Sequence, residues 1–208
     1  LAHICSSWPE ARRLFRAAQA KFADQNFPFD LEIFTRLTAT VATGSGLYEP
    51  LYRTPIEEVK AAWHKVEKSL AYLIGILRAH AFIDSSRNLA SPYPLVPVVV
   101  HLARQDGTFT DQREMRDFLH WMYAALMWAR YSTSTETKLN ADVAALSEGN
   151  PTQRLRENIL KERGRIKVQP TDLDRAGSRS PFYEMAYIVA RARGAVDWAN
   201  GHPLYTQA

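Results

Sequence analysis

Apolar residues recur at spacings of three and four along most of the chain, and Ser, Thr, Asp, Asn, Gly and Pro break the runs. That pattern predicts helix after helix, each with a readable start. Ser7-Trp8-Pro9-Glu10 has the form of a capping box, the Ser oxygen accepting an orphan N–H while Glu10 returns to the cap N–H. The helix it opens sets Trp8, Ala11, Phe15, Ala18 and Phe22 on one face, with Arg12, Arg13, Arg16 and Lys21 off it. A second helix is predicted from Asp30 to near Gly44. Thr54-Pro55-Ile56-Glu57 is another box, with Pro at the first helical position where its missing N–H costs nothing. Behind it run Val59, Trp63, Val66, Leu70, Leu73 or Ile74, Leu77 and Ala81, the clearest helical period in the chain, over about seven turns.

The later punctuation is equally legible. Pro92 and Pro94 mark a loop before a short buried helix from Leu95 to Arg104, closed near Gly107. Asp111 caps a helix running to about Arg130, and Trp121 to Ala129 within it are apolar all round. A helix without a polar face must be surrounded by protein, which places it at the centre of a bundle. Thr133 with Glu136 forms a further box ahead of Leu139, Val143 and Leu146. Asn150-Pro151 opens a basic helix, and Ser180-Pro181 opens a last one ending at Gly194.

No run of alternating β-branched residues lies between turn signals, and Val98-Val99-Val100 is too short to be one. The expected class is all-α: about eight helices in an irregular bundle around a central apolar helix, burying Trp63, Leu70, Leu77, Trp121, Leu126 and Trp128. Residues 1–148 read as the bundle, 149–180 as a basic helix and loop, and 181–208 as a terminal helix and a linker towards a further domain. All three read as one structural unit, which 208 residues suffice to build.

Composition narrows the class. Hydrophobic residues make up 46% and charged residues 23%, which excludes a disordered chain. The lone Cys5 excludes an internal disulfide framework and fits a reducing, cytoplasmic setting. The longest apolar runs fall well short of the ~20 residues that span a bilayer, so no membrane is expected. Leu1-Ala2-His3-Ile4-Cys5 lacks the basic and apolar regions of a signal peptide and reads as the tail of a helix begun upstream.

Charge changes the picture more. The net charge is +4, and residues 151–180 hold all of it: Arg154, Arg156, Lys161, Arg163, Arg165, Lys167, Arg175 and Arg179 against Glu157, Glu162, Asp172 and Asp174. A localised basic stripe suits a polyanion partner, whereas the interspersed acids suit a solvated surface helix. Both readings stand at this point.

The search for a catalytic constellation yields little. His3-x-Cys5 has no second pair at zinc spacing, and Cys5 has no neighbouring base. Thr43-Gly44-Ser45-Gly46 follows a helix rather than a strand and lacks the Lys of a phosphate loop, so it reads as a helix end. The segment from Asp106 to Asp111 misplaces its Gly for a calcium loop. His101, His120 and Asp117 read as packed or i,i+3-paired helical residues. No metal site and no cofactor are expected.

One connection stands out. Four hydroxyl residues, Ser132 to Thr135, lie between two helices and are flanked by Arg130, Tyr131 and Lys138. Hydroxyls and cations at a helix start suit phosphate or sugar oxygens, while the same hydroxyls would serve a doubly capped turn. Arg130, Tyr131, Ser132, Ser134 and Lys138, with Arg154, Arg156, Arg163 and Arg165, are the candidate DNA contacts.

Arg130-Tyr131-Ser132, followed by Glu136-Thr137-Lys138-Leu139 and Asp142, resembles the Arg-Tyr-Ser…Thr…Leu…Asp signature of the GmrSD-type family of modification-dependent restriction nucleases. Leu1 to Ile4 with Trp8 to Arg12 resembles the segment after that family's N-terminal ParB-like domain. Gly194-Ala195-Val196-Asp197-Trp198 with Gly201 resembles the approach to its C-terminal His-Asn-His nuclease domain. Thr133 departs from the pattern, where many members carry Gly. The family's Asp-Gly-Gln-Gln-Arg motif and the His-rich start of its nuclease domain do not occur here, so no catalytic residue carries over. The resemblance implies a non-catalytic helical middle region that supports flanking domains and contacts DNA, within a parent that is a nucleotide-dependent endonuclease. The alternative is a helical protein-interaction module outside nucleic-acid biology.

Overall fold

The periodic stripes fold into helices that bury them. A computed structural model describes residues 1–174, 176–178 and 180–204. Among these residues the chain forms α1 (Ala2–Ser7), α2 (Ala11–Ala23), α3 (Leu31–Thr43), α4 (Ile56–His80) and α5 (Leu95–Arg104). It continues through α6 (Gln112–Met127), α7 (Thr135–Ala145), α8 (Pro151–Arg163), α9 (Pro170–Leu173) and α10 (Pro181–Ala192). Short 3-10 turns occupy Glu49–Arg53 and Ser86–Asn88. The only β-type pairing among the described residues is an isolated bridge between Val196 and Pro203, so the all-α expectation is met.

Helices α3, α4 and α5 pack against one another, with α2 laid on α3 and α1 on α2. The other half grows from α5 through α7 to α8, which also packs on α6, while α10 leans on α6. Phe15, Phe22, Phe29, Phe34 and Trp63 join α2, α3 and α4 through ring contacts of 4.6 to 6.4 Å, tilted or edge-on for the most part, as quadrupoles favour. The stripes read on α2 and α4 lie wholly inside this core. Helix α5 is buried from Leu95 through Ala103, whereas α6 leaves Arg116 and His120 exposed. Buried threonines are tolerated in α3 because Thr35 and Thr38 donate to the carbonyls of Leu31 and Phe34, four residues back.

Several boundaries differ from the sequence reading, each for a tertiary reason. Ser7 does not cap α2: it ends α1, and the buried Trp8 continues that helix by bonding to the Ile4 carbonyl. Glu10 then accepts from the Trp8 indole at 3.1 Å instead of closing a box. At α4 the cap position falls on Pro55, and Thr54 donates to the Pro50 carbonyl. Before α7 the cap is Ser134, in left-handed backbone at φ 51°, and Glu136 is drawn away to Arg36 at 2.9 Å. Trp128 is half-buried rather than buried, its indole donating to the Ile166 carbonyl at 3.0 Å. The caps at Asp111, Asn150 and Ser180 form as expected, as does the left-handed Gly44 after α3.

Candidate functional site

Helix α6 stops three residues before Arg130, and the turn that follows carries the residues singled out from the sequence. Ala129 adopts φ 44° and Ser134 φ 51°, two non-glycine residues in left-handed backbone that bracket Arg130 to Thr133. Such conformations persist only where surrounding contacts enforce them. Here the enforcement comes from Asp142 on α7. Its fully buried carboxylate accepts Arg130 Nε at 2.6 Å and Nη2 at 2.8 Å, the Tyr131 hydroxyl at 2.6 Å and Asn158 Nδ2 at 2.9 Å. The bidentate fork fixes direction as well as distance. Arg130 Nη1 reaches Glu162 of α8 at 3.1 Å, and Lys138 joins the same carboxylate at 2.7 Å. Burial lowers the Arg130 pKa, but the bonds to Asp142 more than reverse this and hold the guanidinium charged. Burial and then the Asp142 charge push the Tyr131 phenol well above its ordinary range, so it serves as a donor.

The candidate contacts therefore divide. Arg130 and Tyr131 turn their polar ends inward and present no charge to a partner. Ser132 and Ser134 remain exposed, and Lys138 is held against Glu162 with its side chain 15% exposed. Arg154 is clamped between Glu148 and Glu157, and Arg165 makes a two-pronged pair with Asp172 while its guanidinium lies 5.2 Å from the Trp128 ring. That pair, helped by the Gln169 N–H, holds the Asp172 carboxyl at about 2. Arg163 donates to the Trp128 carbonyl at 2.8 Å but stays exposed. Arg156, Lys161 and Lys167 are exposed and form no ion pair among the described residues. Arg175 and Arg179 lie outside the described residues. Arg130, Lys138, Arg163 and Arg165 thus gather around one turn, while Arg154 and Arg156 sit farther back on α8.

Two other polar clusters went unread in the sequence. Arg36 lies on the buried face of α3, donating to the Gly46 carbonyl at 3.0 Å and to Glu136, with its guanidinium 3.6 Å from the Tyr48 ring centre. A lone Arg amid an apolar stripe was the available signal. Glu114, one turn after the Asp111 cap, accepts from His101 Nε2 at 2.8 Å, Gln105 and the Thr110 N–H. Asp117 and His120 form no bond to each other. Among the described residues no cluster of three or more His, Cys, Asp or Glu could hold a metal ion, and no helix is long and apolar enough to cross a membrane.

The exposed face of the Arg130 turn borders a cavity of about 490 Å³. Its walls come from the turn itself, from the segment between Arg87 and Pro94, and from the start of α10. No family model, curated protein or solved structure matches the chain.

Proposed function

We propose that the chain is the non-catalytic helical middle region of a GmrSD-like DNA-defence nuclease, supporting flanking domains and contacting DNA through its phosphates. What supports the reading is the convergence of Arg130, Tyr131 and Asp142, three of the residues that carry the resemblance, into one buried cluster. That cluster ties the hydroxyl-rich turn to the basic helix α8 through Asn158 and Glu162, and Ser132 and Ser134 stay exposed. Backbone phosphates are met by such a mixture of hydroxyls and cations without regard to sequence.

Ion pairing leaves Arg156, Lys161 and Lys167 without a partner carboxylate among the described residues, and Arg163, paired with Glu162 at 3.7 Å, still exposed. About three or four phosphates neutralised at once give a log–log salt slope of roughly −2.7 to −3.6. Binding is then micromolar or weaker near physiological salt. Fluorescence anisotropy on a short duplex at several salt concentrations tests this, with Arg156, Lys161 and Lys167 replaced together by Gln. The substituted chain should lose most of the slope at unchanged helicity. Absence of binding by the unsubstituted chain at low salt would sink the DNA reading.

A second reading, a protein-docking module, has one observation in its favour. Helix α10 buries only Ile188 fully, and Tyr183, Val189 and the fully exposed Trp198 lie on or just beyond it. Apolar surface of this kind marks contact with another protein or domain. Within the first reading, it is the face a flanking domain would cover.

A further inference from the structure

We propose that a pocket at the start of α3 binds a guanidinium group carried on an apolar stem. The pocket, about 320 Å³, lies between the loop entering α3, the first turn of that helix and the segment from Ser86 to Tyr93. That volume is within the range of sites that enclose one small ligand. Its walls are tied together by the fold. Phe29 is buried among the rings of the core, and its carbonyl accepts from Gln19 at 2.8 Å. The Ser86 N–H donates to the Asn26 carbonyl at 3.0 Å, which joins the loop to the later segment. The Tyr93 hydroxyl donates to Glu32 at 2.7 Å and joins that segment to α3. Burial, and then the bond to Glu32, push the phenol up to about 12, so it remains a donor.

The lining divides by chemistry. Ile33, Leu89, two prolines and the rings of Phe29 and Tyr93 make an apolar floor, whereas the charged groups are two carboxylates, Asp30 and Glu32. No Lys or Arg lines the pocket. Asp30 is the unusual member. An Asp at a helix N-cap ordinarily accepts from an N–H of the first turn, as Asp111 does from Glu114 at 2.8 Å. Asp30 holds the same position on α3, in extended backbone, yet its side chain accepts no such bond. Glu32 takes the Tyr93 hydroxyl through Oε1 alone, and neither carboxylate has an ion pair among the described residues. Arg36, one turn after Glu32, is directed to Gly46 and Glu136 instead. Three carboxylate oxygens are thus left without a donor beside an apolar floor. Such a lining repels phosphates and selects a cation. A guanidinium suits it better than an ammonium, being more weakly hydrated, able to stack on an aromatic face and furnished with five donors in one plane. The stem lies along the prolines and aliphatic side chains. Complementing the dipole of α3 accounts for acids at a helix start, but not for the apolar floor beside them or for the cap left unmade.

Titration calorimetry and amide NMR on the whole chain at low salt test the pocket with butylguanidine, its neutral isostere butylurea, butylammonium, millimolar guanidinium ion and a short Pro-Arg-Pro peptide. Butylguanidine should bind saturably and shift the amides of Glu32 and Ser86. Butylurea and the bare guanidinium ion should each bind at least about tenfold more weakly, one lacking the charge and the other the stem. Both carboxylates are exposed, so Asp30→Asn and Glu32→Gln should each weaken butylguanidine by about threefold, and together by about tenfold, with butylurea unchanged. Pro28→Trp, at the exposed rim, should abolish binding. If that variant misfolds, the isosteric carboxylate pair still decides the matter. A peptide that binds at least as tightly as butylguanidine and shifts the same amides identifies the source as an arginine side chain of another protein, whereas a much weaker peptide identifies a free organic cation. The pocket stands apart from the DNA reading, and the triple Gln substitution on α8 should leave its binding intact, so the two fail separately. No saturable binding, butylurea or butylammonium as tight as butylguanidine, or a double carboxylate variant that binds like the native chain would overturn the proposal.

Discussion

Replacing Asp142 by Asn should be the most damaging single change at the Arg130 turn. The native carboxylate is fully buried and receives four donors, two from Arg130 and one each from Tyr131 and Asn158. Asparagine keeps one acceptor and turns an amide NH₂ towards donors, leaving Arg130, itself only 4% exposed, charged with only the partly exposed Glu162 as its counterion. Removing one partner of a buried ion pair costs about 3–5 kcal/mol. A domain holds only about 5–15 kcal/mol in all. For a chain of this length each kcal/mol moves the midpoint by about 2–4 °C, so Tm should fall by about 6–20 °C. Two comparators isolate the cause. Glu162→Gln breaks pairs to Arg130 and Lys138, but with 28% of its side chain exposed it should cost under about 1 kcal/mol. Arg130→Met together with Asp142→Leu removes both buried charges and should recover most of the loss, since apolar replacement of a buried pair is often neutral. Thermal melts followed by circular dichroism, with urea titrations for ΔG, provide the assay. An Asp142→Asn midpoint within about 2 °C of the native one, or a double variant no better than the single, would refute the reasoning.

Three further outcomes are expected. Burial holds the folded-state pKa of His101 below 6.5 against the opposing pull of Glu114, so the unfolded chain takes up a proton more readily. Its contribution to stability is complete above pH 6.5 and is lost as the pH falls from there through the folded value; urea midpoints at pH 7.5 and about 5.5 should show this, and His101→Gln should flatten the difference. A Cβ at Gly46 would lie 2.3 Å from the Asn140 backbone nitrogen, so Gly46→Ala should cost at least about 1–3 kcal/mol in a urea titration, and an unchanged midpoint would contradict the packing of this loop on α7. The purified chain should neither hydrolyse nucleoside triphosphates nor cut DNA with any divalent metal; turnover abolished by one substitution in this chain would overturn that.

The helices were legible because their signal is local. Seven positions on α4 repeat a pattern that needs no partner to be read, and all lie in the core. Caps were less legible because a cap residue chooses among partners that sequence spacing does not reveal. Glu136 sits three residues after Thr133, as a capping box requires, yet it pairs with Arg36 a hundred residues upstream. The cation stripe misled for a related reason: Glu157 lies three residues after Arg154 and was countable, but Glu148 and Asp172 reach their arginines only once the turns have formed. The cavity was beyond reach because its walls come from three separate stretches, near 90, 130 and 180.

The Arg130 cluster is costly to build, and its form points to what it is for. A purely apolar filling of the same space would serve stability about as well, because desolvating Arg130 and Asp142 offsets most of their attraction. What apolar contacts would not supply is direction. The bidentate fork and the Tyr131 hydroxyl together specify the turn's orientation, and they do so between two residues, Ala129 and Ser134, whose backbone resists the shape they adopt. This strained stretch walls the cavity on one side and meets α8 on the other. Three residues that sequence alone suggested as contacts to a partner, Arg130, Tyr131 and Lys138, are thus largely spent inside the protein. Their bonds hold Ser132 and the cavity wall in one arrangement.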